Sequence, residues 1–119
     1  MNTWKIIVSE SCAVWFEKQN ERDKAVILSK IYLLEEYGPN LGRPHADTIK
    51  GGRLPNLKEL RAKTGSHVFR IAYIFDPDRN CLLLTGGDKK GKDQKKFYTD
   101  LIGDAERIYA AYLKQKNEG

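Results

Sequence analysis

The first third of the chain carries a short β-type run followed by two stretches of helical periodicity. Residues 4–8, Trp-Lys-Ile-Ile-Val, predict a strand, and Ser9 is suited to cap the helix that follows. Apolar side chains recur at helical spacing over residues 10–20 and again over Glu21–Tyr37, which predicts two successive helices. Gly38-Pro39 then ends the second helix, because proline cannot extend it. The apolar stripe of that helix comprises Ile27, Leu28, Ile31 and Leu34.

A segment rich in glycine and proline separates these helices from three strand-like runs. Residues 38–56 predict a long, basic loop, and long loops in compact domains are often functional. The apolar runs 57–63, 68–75 and 81–87 are divided by turn-forming residues, which predicts an antiparallel meander. Apolar residues from Phe97 to Tyr112 predict a final amphipathic helix, in which Asp104 is a candidate for a second N-cap after Gly103.

The predicted order of elements is therefore β-α-α-β-β-β-α. This order is typical of an α+β domain whose helices pack on one face of a small, mainly antiparallel sheet. The 119 residues suit a single domain over residues 1–119, and 40% hydrophobic with 31% charged residues is a globular composition.

Charge and cysteine content narrow the function classes. A net charge of +5 indicates a surface that attracts polyanions or an acidic protein.

Cys12 and Cys81 lie far apart, and we expect reduced thiols in an intracellular protein rather than a disulfide or a zinc site. No apolar stretch approaches the roughly 20 residues that span a bilayer, and the N-terminus has no secretory layout, so we expect a cytoplasmic protein without a membrane partner.

Common enzyme signatures, including phosphate-binding glycine loops and zinc motifs, are absent from the sequence, but cations recur where a sheet would gather them. Glu59, Arg61 and Lys63 share one face of the first meander strand, and Arg70 interrupts an otherwise apolar strand. A buried arginine needs a carboxylate or an open concave face. Two interpretations stay open: Arg70 pairs with Glu59 or Asp88 to hold the sheet, or it binds a phosphate with its planar guanidinium.

Other candidate groups flank the last strand. A lysine-dense stretch over residues 89–96 is usually a solvated face, although here it adjoins the strand next to Arg70. Tyr98 and Phe97 are able to stack on bases, with Phe97 favoured as a core residue. His45 and His67 are the only side chains whose ordinary pKa is near neutrality, and both are interpreted as loop or turn residues rather than catalysts.

Together, these segments resemble one known family along nearly the whole chain. The chain is similar to the HigB-like toxins of type II toxin–antitoxin systems, within the RelE/ParE superfamily. The segments that carry the resemblance, in order, are Gly42-Arg43-Pro44-His45, Lys50-Gly51, Leu57-Lys58-Glu59-Leu60-Arg61, Phe69-Arg70-Ile71-Ala72-Tyr73, Leu82-Leu83-Leu84, Gly87-Asp88-Lys89 and Phe97-Tyr98.

The resemblance implies a RelE-like, microbial RNase-type fold and ribosome-dependent cleavage of mRNA without metal or other cofactor. It also implies a cognate antitoxin of the helix-turn-helix type, through which alone operator DNA would be contacted. The implied catalytic residues are Arg70, Lys89, Arg61, Tyr98 and Glu59, with Arg70 acting on the scissile phosphate. The expected RNA-binding residues are Arg43, His45, Lys50, Arg53, Lys58, Lys90 and Lys92.

The sequence departs from the family pattern at two places. Glu59 stands where RelE toxins carry a lysine, and the C-terminal histidines of some HigB toxins are missing. The proton carriers therefore stay open among Lys89, Tyr98, Glu59 and His45, and a cluster of cations would lower the pKa of a lysine.

Two other functions keep part of this interpretation. A ParE-like inhibitor of DNA gyrase would have the same fold and an antitoxin, but would perform no chemistry. A plain RNA- or ribosome-binding module would show affinity that falls steeply with salt and would yield no cleavage product.

Overall fold

The computed structural model describes residues 3–118 of the chain, with one sheet and three α-helices. Helix α2 has the predicted bounds, whereas α1 ends three residues before the predicted end. It ends early because Asn20 instead caps α2, accepting a hydrogen bond from the Asp23 amide at 2.8 Å. The elements are β1 (Lys5–Val8), α1 (Glu10–Glu17), α2 (Glu21–Tyr37), a 3₁₀ turn (Gly38–Asn40), β2 (Ala46–Thr48), β3 (Lys58–Lys63), β4 (Val68–Phe75), β5 (Asn80–Asp88) and α3 (Gln94–Glu118).

The five strands form one mixed sheet in the order β1-β5-β4-β3-β2. β3, β4 and β5 form the predicted antiparallel meander, and β1 lies parallel to β5 at one edge. The three-residue strand β2 pairs with β3 at the other edge, within the segment predicted to be a loop. It was missed because three residues between breakers carry too little periodicity to indicate a strand.

The prediction that the helices share one face of the sheet is wrong. α1 and α2 pack on the face that carries Phe69 and Ile71 of β4, whereas α3 packs on the opposite face, over Ala72 and Ile74. β4 is consequently buried on both sides, which explains why it reads as an unbroken apolar run apart from Arg70. The predicted α+β class is confirmed.

The last helix is continuous from Gln94 to Glu118, so Gly103 and Asp104 do not divide it. Asp104 instead lies on the exposed side and pairs with Arg107 at 3.2 Å. Packing of Phe97, Leu101 and Ala105 against the sheet stabilises the helix through this point.

Both cysteines are buried free thiols in the described chain. Burial raises the pKa of Cys12 to about 12, so this thiol stays protonated and unreactive at neutral pH. Within residues 3–118, no helix combines the length and apolar character needed to cross a membrane.

Candidate active site

A cleft of about 800 Å³ opens between the first turns of α3 and the β2–β3 edge of the sheet. It is mostly polar, and cations outnumber carboxylates in its lining. We call it the α3 cleft, and its lining residues are Arg43, Asp47, Thr48, Ile49, Lys50, Gly51, Glu59, Arg61, Lys89, Gln94, Lys95, Tyr98, Thr99 and Ile102.

Strand register brings three predicted site residues to this end of the sheet, and the packing of α3 adds Tyr98. Glu59 and Arg61 alternate with buried apolar residues of β3 and so point toward α3. Arg70 of β4 lies directly opposite Arg61 and beside Gly87 of β5. A Cβ at Gly87 would come within 3.2 Å of the Phe97 ring, so glycine there lets α3 lie close enough for Tyr98 to reach β3.

Glu59 is the centre of the polar contacts in the cleft. The Tyr98 hydroxyl donates to Glu59 Oε1 at 2.6 Å, and Arg70 Nε lies 3.5 Å from the same oxygen. Arg61 Nε is 3.7 Å from the other oxygen, Oε2. The carboxylate is only 5% exposed as a residue, and it faces two guanidinium groups that compensate its burial.

The two interpretations of Arg70 are both visible in part. Arg70 is 6% exposed and pairs with Glu59, as the structural interpretation requires, while Asp88 is engaged elsewhere. Its Nη1 donates to its own strand, at Phe69 O (3.0 Å), but its Nε is a buried donor without a hydrogen-bond partner in the described part of the chain. An unsatisfied buried donor is costly, and the structure leaves this one free for an acceptor. Arg70 lines a neighbouring groove beside α2 rather than the α3 cleft itself.

Lys89 and Tyr98 have shifted proton affinities. Burial lowers the pKa of Lys89 below the usual lysine range, and the positive charges of Arg70 and Arg61 lower it further. The negative charge of Glu59 opposes this shift without cancelling it. Burial and the hydrogen bond to Glu59 raise the pKa of Tyr98. The Lys89 ammonium lies 5.6 Å from the centre of the Tyr98 ring, so the two groups share one side of the cleft. Lys89 is thus better suited than an ordinary lysine to exchange a proton near neutral pH.

A histidine network that sequence reasoning missed holds the strand end before Lys89. His67 Nδ1 lies 2.6 Å from Asp88 Oδ2, and its Nε2 lies 3.4 Å from the buried carboxylate of Asp23. Asp88 Oδ1 also accepts from the amides of Val68 and Lys90. The only sequence signal was a histidine just before one strand and an aspartate at the end of the next, which meet when the two strands pair antiparallel. The partner on α2 could not be inferred.

The other expected RNA-binding residues are spread over several surfaces. Arg43 and Lys50 line the α3 cleft, with Arg43 paired to Asp47 at 2.6 Å. The other five lie outside the cleft. His45 contacts Lys30, the Arg53 amide donates to Glu106, and Lys58 lies on the same face of β3 as Leu60. Lys90 donates to Gly65 O at 3.3 Å, and Lys92 lines a separate concavity beside Phe97. In the described chain, no group of three His, Cys, Asp or Glu side chains is arranged to hold a metal ion.

Comparison with known proteins places the chain in a family. The sequence matches the family described as phage-derived protein Gp49-like over residues 14–110. The chain belongs to the Gp49-like family. Two relatives from Mycobacterium tuberculosis are the candidate toxins HigB2, 35% identical over 107 residues, and HigB3, 38% identical over 105 residues. The HigB2 match covers 89% of this Gp49-like chain and 53% of HigB2, so the chain spans about half the length of that relative. The HigB3 match covers 88% of the chain and 90% of HigB3. The resemblance to HigB-like proteins of the RelE/ParE superfamily is confirmed.

Solved structures share the fold of this Gp49-like protein at low sequence identity. A variant of the E. coli toxin RelE in the free state aligns with a TM-score of 0.59 at 12% identity, covering 90% of this chain and 99% of that one. The RelBE2 toxin–antitoxin complex of M. tuberculosis gives 0.58 at 12% identity, over 73% and 99% of the two chains. The archaeal RelE–RelB complex of Pyrococcus horikoshii gives 0.56 at 20% identity, over 76% and 99%.

Proposed function

We propose that this protein is the toxin of a type II toxin–antitoxin system and that it cleaves mRNA on the ribosome. The observation that carries this proposal is the α3 cleft, whose lining includes Glu59, Arg61, Lys89 and Tyr98, with the buried Arg70 paired to Glu59. Five cations line this concave surface and suit a ribose-phosphate chain, and two of them, Arg43 and Arg61, carry guanidinium groups that match phosphate oxygens. The toxin names of the relatives and the RelE-like fold support the same function.

The proposed reaction uses the 2′-hydroxyl of the RNA as nucleophile. Its oxygen attacks the adjacent phosphorus while Glu59, as the ionised carboxylate, accepts the hydroxyl proton. The bond from phosphorus to the 5′-oxygen breaks, and the Lys89 ammonium donates a proton to that oxygen. Arg70 and Arg61 stabilise the charge that develops on the phosphate oxygens. The products are a 2′,3′-cyclic phosphate and a 5′-hydroxyl end, and water returns both side chains to their starting protonation states.

Tyr98 positions the base in this scheme. Its hydrogen bond to Glu59 Oε1 fixes the carboxylate, and its ring lies against the Lys89 ammonium. A phosphate bound by Arg70 would compete with Glu59 for its guanidinium group. The ribosome would supply the remaining orientation of the mRNA.

The proposed partner is a cognate antitoxin that carries a helix-turn-helix domain and alone contacts operator DNA. Two of the structural neighbours are toxin–antitoxin complexes, which supports a partner of this class. A net charge of +5 favours an acidic surface on that partner.

The burial of Arg70 favours one other function. A guanidinium that is 6% exposed and paired with a carboxylate is also what a toxin without chemistry would have, in which the cations only contact a target such as DNA gyrase or the ribosome. This second function predicts gyrase-linked DNA breaks or ribosome binding without cut mRNA.

The deciding experiment is induction of the protein in growing cells, followed by mapping of mRNA ends and of DNA breaks. We expect ribosome-dependent cuts with 5′-hydroxyl ends from the wild-type chain and none from Glu59→Gln. The matched control is Asp100→Asn, which removes a carboxylate from an exposed Lys96 pair and should cut normally. Growth arrest with intact mRNA and broken DNA would refute the nuclease and support the gyrase function.

A further inference from the structure

Another concave surface lies around the open end of β3, with residues from both faces of the strand in its lining. It has a volume of about 570 Å³ and runs between α2 and the outer end of β3. Four of its lining residues are cations and none is a carboxylate. We call it the α2 groove, and its lining residues are Val26, Ser29, Lys30, Pro44, Arg61, Ala62, Lys63, Val68 and Arg70.

Two of these cations are not committed to ion pairs. The Lys30 ammonium lies 2.9 Å from His45 Nδ1, which is the acceptor of this contact because lysine can only donate. Within residues 3–118, neither Lys30 nor Lys63 pairs with a carboxylate. His45 therefore holds Lys30 in place over the groove without cancelling its charge.

The α2 groove and the α3 cleft share one lining residue, Arg61. β2 begins at Ala46 opposite Leu60, so Ala62 and Lys63 at the end of β3 have no β2 residue beside them. The sheet edge is open at that point, and Arg61 lines both surfaces with 29% of its side chain exposed. A flexible polyanion in the cleft can thus pass Arg61 and enter the groove without leaving a cationic surface.

We propose that the α2 groove is a second RNA-binding site, which takes the backbone phosphates of the strand that continues out of the α3 cleft. This proposal rests on the proposed function, because it takes the cleft as the place of the scissile phosphate. Lys30 and Lys63 contact phosphate oxygens as point charges, so the site binds any base sequence and adds affinity rather than specificity. His45 contributes through Lys30, which gives this histidine a positioning role outside the α3 cleft.

The test is binding of a short, unstructured RNA whose 2′-O-methyl groups prevent cleavage, measured by fluorescence anisotropy at several salt concentrations. Each phosphate contact to single-stranded RNA contributes about 0.7 to the slope of log K against log salt. We expect the double variant Lys30→Gln/Lys63→Gln to lower the size of that slope by about 1.4. If the variant and the wild type bind equally at 1 M salt, the variant should bind about 25-fold more weakly than the wild type at 0.1 M salt. The matched control, Lys18→Gln/Lys114→Gln, removes the same charge at exposed positions outside both surfaces and should keep the wild-type slope.

Two further measurements separate the explanations. With ribosomes that carry no mRNA, the double variant should bind as the wild type does. A loss seen there and not with the oligonucleotide would overturn the proposal, because the groove would then contact ribosomal RNA instead. Equal slopes for the double variant and the wild type on the oligonucleotide would also overturn it, even if mRNA is still cut. Conversely, a wild-type chain that cuts no mRNA but shows the expected slopes would remove the nuclease and leave the groove.

Discussion

Substituting Arg70 separates its contribution to folding from its contribution to the reaction. Arg70→Met leaves the buried carboxylate of Glu59 without its nearest cation, and breaking a buried pair usually costs about 3–5 kcal/mol. Glu59 keeps the hydrogen bond from Tyr98 and the contact with Arg61, so we expect the low end of that range, about 3 kcal/mol. Arg70→Lys retains the charge and loses the hydrogen bond to Phe69 O, which should cost about 1 kcal/mol.

The cleavage rate should fall even in the variant whose stability is nearly unchanged. A lysine cannot bind two phosphate oxygens in a planar geometry, and losing one transition-state contact of this kind costs about 10²–10³ in rate. Arg70→Lys should therefore unfold in urea close to the wild type and still cleave at least about 100-fold more slowly in single-turnover assays on programmed ribosomes. Wild-type cleavage by a stably folded Arg70→Lys would refute the role of the guanidinium. Glu59→Met/Arg70→Met should cost less than the two single changes combined, and additive costs would refute the pair.

Three further outcomes follow from the same region. Because the Lys89 ammonium is the proposed proton donor, the cleavage rate should fall as pH rises through its lowered pKa. This fall at alkaline pH should begin below the ordinary lysine range and disappear in Lys89→Arg. An unchanged fall in that variant would assign it to another group. Tyr98→Phe should lower the free energy of unfolding by about 1.5 kcal/mol, measured in urea, because a hydrogen bond to a charged group is lost. Burial alone would raise the pKa of Asp88, but hydrogen bonds from His67 and two amides lower it below its usual range. The ionised Asp88 therefore stabilises the fold above its unfolded pKa of about 3.9, and this contribution is lost as pH falls through the folded pKa. Asp88→Asn should be less stable than the wild type at pH 7 and equally stable in acid, and a constant difference at all pH values would contradict this.

The sequence predicts local structure well where periodicity is strong. The bounds of Glu21–Tyr37 and Val68–Phe75 agree with the predictions, because each run is long and its pattern is regular. The distribution of helices over both faces could not be read locally. An apolar run such as β4 indicates burial without indicating what covers each side.

The candidate site shows the same division. Arg70 and its pairing with Glu59 were among the predicted arrangements, since an arginine in an apolar strand needs a partner. The placement of Lys30 with His45 and of His67 with Asp23 depends on how α2 lies against the ends of β3 and β4. Those contacts join residues far apart in sequence, and spacing along the chain carries no information about them.

The contact between Tyr98 and β3 ties the assembly of the cleft to the last quarter of the chain. During synthesis, α3 leaves the ribosomal exit tunnel after every strand, so a nascent chain lacks both the tyrosine and the cover for one apolar face of its sheet. A premature stop codon before residue 94 would therefore release a harmless product with an exposed, aggregation-prone sheet. Loss-of-toxicity mutants selected in cells should be rich in such truncations, even when every strand residue is intact.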